Sequence, residues 1–72
     1  MSEGARSVVR TVNLFEEFAR ARRPLTSSEL VVRLQVPRSS VADLLRTLVG
    51  EGVLAMDRRR STYLPTAKFA HL

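Results

Sequence analysis

The chain contains no cysteine, which excludes both a disulfide framework and a thiolate metal site. It fits a reducing interior without requiring one. There is a single histidine, His71, close to the end of the sequence, and no pair of carboxylates set among apolar residues where a pKa would shift. Alone in that position, His71 reads as neither metal ligand nor catalyst. The short Gly50-Glu51-Gly52 stretch lacks the spacing of a phosphate-binding loop. No enzymatic activity, cofactor or metal is therefore expected. No apolar run approaches the roughly 18 residues of a membrane span, and the opening MSEGAR has no apolar signal core. A soluble, intracellular, cytoplasmic protein is expected. Bulk is also lacking: 72 residues allow one small domain, which at that size buries only about 60% of its unfolded surface.

What the chain does have is positive charge. Twelve Lys and Arg face seven Asp and Glu, a formal net charge of +5, which favours a polyanionic partner. Residues 1–30 carry five Arg and four Glu, net +1, whereas residues 31–72 carry six Arg and one Lys against Glu51, Asp43 and Asp57, net +4. Eleven of the twelve basic residues are Arg, whose planar guanidinium grips phosphate or a guanine edge through two bonds where Lys makes a point contact. A GC-rich genome would also favour that choice.

The apolar periodicity predicts three helices. The first runs from about Ser7 to Ala21, with Val8, Val12, Phe15 and Ala19 at helical spacing and Val9, Leu14 and Phe18 widening the stripe. Arg10, Glu16, Glu17 and Arg20 are expected on its other side, and Pro24 ends it. The second starts at a capping box, Thr26 with Glu29, flanked by Leu25 and Leu30 at hydrophobic-staple spacing. It turns Leu30, Val31 and Leu34 inward and stops near Gln35. Pro37 suits the first position of a third helix reaching about Val49. Val41, Leu44, Leu45, Leu48 and Val49 form its buried stripe, opposite Arg38, Ser39, Ser40, Ala42, Asp43, Arg46 and Thr47. Gly50 and Gly52 then supply backbone freedom to leave the helix. Two β-like segments, Val53 to Met56 and Ser61 to Leu64, flank the tip DRRR at residues 57–60.

Two short helices joined tightly around Gln35 and Val36, followed by a basic hairpin, describe a mainly α fold with a small β-hairpin: a three-helix winged helix-turn-helix. Such a fold places its third helix in the major groove of double-stranded DNA. The small polar residues and arginines of that helix, Arg38, Ser39, Ser40, Asp43, Arg46 and Thr47, become the candidates for base and phosphate contact. Arg38 to Ser40 can equally be a polar helix start. Arg58, Arg59 and Arg60 either contact phosphate or the minor groove, or merely keep a turn solvated. Thr26, Ser27 and Ser28 act first as helix caps, although a helix N-terminus also offers N–H groups to phosphate. Arg22 and Arg23 divide evenly between backbone contact and ordinary loop. A reading of another class is a winged helix that docks a protein through the wing or through helix 1, with Phe15 and Phe18 facing the partner.

RPLTSSEL, VPRSSVADLLRTLVGEGVL and the closing RSTYLPTAKFAHL, in this order, closely resemble the N-terminal DNA-binding domain of the IclR family of bacterial transcriptional regulators. The likeness covers about Arg6 to Leu72. It implies a nucleoid-associated winged helix whose third helix reads a palindromic operator, in a regulator acting as a homodimer or higher homo-oligomer. Arg38, Ser39 and Ser40 match the basic and hydroxyl residues that open the family's recognition helix, and Leu44, Leu45 and Leu48 match its buried face. The domain layout it implies is a flexible N-terminus at residues 1–6, the winged helix at 7–65, and the start of a linker helix at 66–72. The small-molecule effector would be sensed only by a domain absent from this chain, which thus reads as a module cut from a longer regulator. Two positions depart from the pattern. Gln35 stands where relatives usually carry Gly. Asp43 stands where a basic residue is frequent, and it can repel phosphate, accept from cytosine N4, or pair with Arg46 or Arg38.

Overall fold

A computed structural model describes residues 3–70 of the chain, with side chains for residues 4–68. The expectation for His71 lies outside the described residues. Helix α1 spans Glu3–Ala21, strand β1 Leu25–Thr26, helix α2 Ser27–Leu34, helix α3 Arg38–Gly50, strand β2 Leu54–Asp57, strand β3 Thr62–Pro65 and helix α4 Ala67–Ala70. The three expected helices and the hairpin are all present, so the fold is a winged helix-turn-helix.

Every element from α1 to β2 sends at least one side chain to a common core: Leu14 and Phe18 from α1, Leu25 from β1, Leu30 from α2, Val41 and Leu45 from α3, and Leu54 from β2. Phe15, Ala21, Val31, Leu34, Val36, Leu48 and Tyr63 pack around them, half-buried. Among the described residues no buried side-chain polar atom lacks a partner.

The start of α2 follows directly from sequence. Thr26 Oγ1 accepts from the Glu29 N–H at 3.1 Å, and the Glu29 carboxylate accepts from the Thr26 N–H at 3.0 Å. Leu25 and Leu30, the expected staple, are both fully buried. Leu25 and Thr26 also form a short strand, which the two-strand expectation did not include. It pairs antiparallel with β3, Leu25 opposite Tyr63 and Thr26 opposite Thr62, giving a three-stranded sheet of order β1-β3-β2. The capping residue of α2 is thereby tied to the base of the wing.

The turn between α2 and α3 answers the question raised by Gln35. Gln35 adopts the left-handed conformation, φ 54 and ψ 45, and its N–H closes on the Val31 carbonyl at 3.0 Å. The turn keeps the geometry that glycine would favour, using a residue that adopts it at a cost. Pro37 stands just outside α3 as its N-cap, one position earlier than the expected first helical turn. Its carbonyl accepts from the N–H groups of Ser40 and Val41.

Four expectations need correction. In α1 the buried face is Leu14 and Phe18, while Val8, Val12 and Ala19 remain exposed. Val9 is exposed as well, and Phe15 is half-buried against the core, so only part of the expected stripe is covered. The helix also begins at Glu3, ahead of Ser7. At the end of α3, Val49 lies at the exposed edge instead of the core, and only Gly52 takes positive φ, 78 degrees, whereas Gly50 is the last helical residue. Among the described residues no helix is long and apolar enough to cross a membrane.

Candidate nucleic-acid interface

Helix α3 presents two faces with different chemistry. Val41 and Leu45 are buried, and Leu44 and Leu48 half-buried. At 100 degrees per residue the opposite side is Ser39, Asp43 and Arg46, with Ala42 on one flank and Ser40 and Thr47 on the other. All of these are exposed except Ser40, which is half-buried.

The flank carrying Ala42, Arg46 and Val49 faces a cleft of about 370 Å³ whose other wall is Ser27 at the start of α2 and Met56 and Tyr63 of the sheet. Helix α3, the N-terminus of α2 and the root of the wing therefore meet at one opening. Across the helix-turn-helix, the Arg38 guanidinium donates to Ser28 Oγ at 3.2 Å. That contact joins two of the expected site residues. Thr26 is committed to its cap and is half-buried, so its role is to hold Ser27 and Ser28 in place.

Asp43 pairs with Arg46 on the exposed face, the two side chains being 71% and 74% accessible. In the free chain the carboxylate thus orients the arginine, one of the three roles open to it from sequence. With that much exposure the pair contributes little to stability.

The wing tip is built by its own acid. Asp57 Oδ1 accepts from the backbone N–H of Arg59 at 3.0 Å and of Arg60 at 3.4 Å, and Ser61 follows with φ 52. The carboxylate is spent on the turn, and the side chains of Arg58, Arg59 and Arg60 all stand in solvent with no ion pair among the described residues. The tip is a rigid mount for three uncompensated cations.

Arg22 and Arg23, equivalent in sequence, part company. Arg22 terminates α1 in the left-handed region, φ 53, its N–H reaching the Phe18 carbonyl at 3.0 Å, and its side chain is exposed. Arg23 instead donates to Glu29 Oε2 at 2.5 Å and to the Pro24 carbonyl at 3.0 Å. The guanidinium of Arg23, together with the Thr26 N–H, holds the Glu29 carboxyl down at about 2, and the same pairing raises Arg23. Arg23 belongs to the capping box more than to a DNA surface.

One residue near α3 has no place in the sequence-derived site. Arg10, expected on the solvated side of α1, is half-buried and donates to Ser40 Oγ at 3.5 Å. The signal was present: Arg10 lies one turn before Leu14 and two before Phe18, the pair that is buried, so it must share their face.

The family model for the IclR helix-turn-helix domain matches residues 7–58, well over half of the chain. The chain belongs to the IclR helix-turn-helix family. No curated protein and no solved structure matches it. As an IclR helix-turn-helix domain it is a DNA-binding module of the regulator type. The match takes in α1, the capping box, α3 and β2, and ends at the first arginine of the wing tip.

Proposed function

We propose that the chain is the operator-reading module of an IclR-type bacterial transcriptional regulator, binding double-stranded DNA sequence-specifically with α3 in the major groove and the wing on the backbone or in the minor groove. The observation that carries this reading is the exposed face of α3, lined by Arg38, Ser39, Asp43 and Arg46, together with a wing tip whose three arginines have no carboxylate partner among the described residues. Capture is electrostatic: Arg58, Arg59 and Arg60 neutralise phosphates and release counterions. Reading follows, as Arg38, Ser39, Ser40, Asp43, Arg46 and Thr47 meet base edges and the flanking phosphates. Ser27 and Ser28, at the N-terminus of α2, offer hydroxyl and N–H donors to the backbone, and Arg22 lies at the margin.

One such module buries roughly 600 to 1,000 Å², enough for weak binding, so specificity needs two modules on half-sites about one helical turn apart. A palindromic operator and a homodimer or higher oligomer follow. The exposed apolar residues of α1, Val8, Val9, Val12 and Ala19, support such an association. They also suit the second reading, in which the module docks another protein, but Phe15 and Phe18, expected to face that partner, pack in and against the core instead. In this scheme residues 66–72 begin a linker helix toward an effector-sensing domain, and the regulator works in the bacterial cytoplasm on the nucleoid.

The deciding experiment is titration with a random-sequence duplex at two salt concentrations. Binding that weakens steeply with salt is expected. Salt-insensitive binding, or none, would transfer the module to the protein-docking reading.

A further inference from the structure

A helix lying in the major groove has a phosphate backbone on each side, because the groove is bounded by both strands. The wing and the N-terminus of α2 line only one flank of α3. The opposite flank, Ser40, Asp43 and Thr47, faces a cleft of about 290 Å³ whose far wall is Ser7, Arg10 and Thr11 of α1. Resting on the DNA-binding reading above, we propose that Arg10 is the phosphate anchor for the second strand, gripping the backbone on the side of α3 away from the wing.

Arg10 is the one cation of the α1 wall of that cleft. Its guanidinium has five N–H donors, and a single long bond of 3.5 Å to Ser40 Oγ uses one of them. Among the described residues no carboxylate lies within ion-pair distance of it. Asp43, which lines the same cleft, is held by Arg46 instead. Arg20 and Arg33, also on helices α1 and α2, both close on glutamates.

The half-buried stem and the Ser40 contact restrict where the head of Arg10 can go. A planar fork fixed beside a reading helix, with its remaining donors unspent, suits two-bond contact with a phosphate. The Ser7 hydroxyl, one turn earlier on the same wall, is a further donor for the same group. The contact is with backbone, so it adds affinity on every sequence and leaves discrimination unchanged.

The test compares Arg10→Gln, which keeps a donor for Ser40 but removes the charge, with Arg10→Lys, which keeps the charge. Both are titrated with one random duplex across a salt series, with thermal melting as the folding control. Arg10→Gln is expected to flatten the slope of log K against log salt by about one, and Arg10→Lys to retain it. A wild-type slope for a folded Arg10→Gln would overturn the assignment and reduce Arg10 to a tether for Ser40. The triple variant Arg58→Ala, Arg59→Ala, Arg60→Ala separates the two ideas. If it flattens the slope and Arg10→Gln does not, the anchor is wrong while DNA binding stands; if the wild-type chain shows no salt-sensitive binding, the underlying reading has failed. Should Arg10→Gln unfold, the unaltered chain is titrated against duplexes carrying neutral methylphosphonates. Losses at phosphates on both strands flanking the groove support the anchor, and losses on one strand alone overturn it.

Discussion

Three arginines of α1, α2 and the loop between them differ from those at the start of α3 and in the wing in how they are partnered. Arg20, Arg23 and Arg33 close on Glu16, Glu17 and Glu29. Among the described residues Arg6, Arg10, Arg22, Arg38, Arg58, Arg59 and Arg60 have no carboxylate partner, and the nearest wing acid, Asp57, is turned onto backbone. Composition counts charges, but partnering decides which remain available to a polyanion. Exposed ion pairs are worth at most about 1 kcal/mol, so the paired set does little for stability. Its consequence is to quiet the surface around Arg20, Arg23 and Arg33, whereas the wing stays strongly positive. Arg46, paired with the exposed Asp43, stands between the two sets.

The strongest way to break this contrast is to neutralise each set in turn. Replacing Arg58, Arg59 and Arg60 by Ala removes about 0.9 of salt slope per phosphate contact, which shrinks the affinity lost between 50 and 200 mM salt by roughly forty-fold. Replacing Arg20 and Arg33 by Ala, measured in the same titration, is expected to leave the slope unchanged. Equal losses in the two variants would mean that net charge, and not its partnering, governs binding. Within the unpaired set the effect should then change character. Arg38→Ala is expected to cost roughly 1 to 3 kcal/mol of discrimination at one base position, visible as a smaller gap between operator and random duplex. A uniform loss on both duplexes would move Arg38 from base reading to the backbone.

Much of this fold was legible because local signals agreed with global packing. Thr26 with Glu29, the Leu25 and Leu30 staple and the Val41, Leu45, Leu48 stripe each act over a few residues, so spacing alone places them. What escaped was decided at long range. Which apolar residues of α1 are buried depends on how the rest of the core packs against Leu14 and Phe18. The strand at Leu25 and Thr26 exists only because β3 lies beside it. The candidate site divides in the same manner. The exposed face of α3 follows from helical period, whereas the separation of Arg22 from Arg23, and the approach of Arg10 to Ser40, needed the folded chain.

On the paired side, changes should act on folding and spare the salt slope. Thr26→Ala removes the acceptor for the Glu29 N–H and is expected to destabilise the domain by about 1 kcal/mol in urea titration. Glu29 adds a pH signature. Its carboxyl is held at about 2, below the usual 4.5, by the Arg23 guanidinium and the Thr26 N–H. A lowered native pKa means that its stabilisation is complete above about 4.5 and is lost as pH falls toward 2. Wild-type melting temperature should therefore drop more steeply across that window than that of Glu29→Gln. Parallel curves would show that the capping box and Arg23 hold the neutral acid as well as the anion.

The smallest expected effect lies at the junction of the two regions. Gln35 holds φ 54 between α2 and α3, in the left-handed region that costs a side-chain-bearing residue on the order of 1 kcal/mol. Gln35→Gly relieves that cost but loosens the unfolded chain, so a net gain of a few tenths of a kcal/mol is expected from urea titration. Gln35→Val, β-branched at the same φ, should lose stability instead. DNA affinity is the sharper readout, because the turn sets the angle at which α3 leaves the paired region. If Gly raises stability and leaves operator affinity unchanged, the Val31 carbonyl and the buried Leu30 and Val41 on either side already fix that angle. If affinity falls while stability rises, Gln35 itself rigidifies the joint, and the departure from glycine at this position serves the positioning of α3.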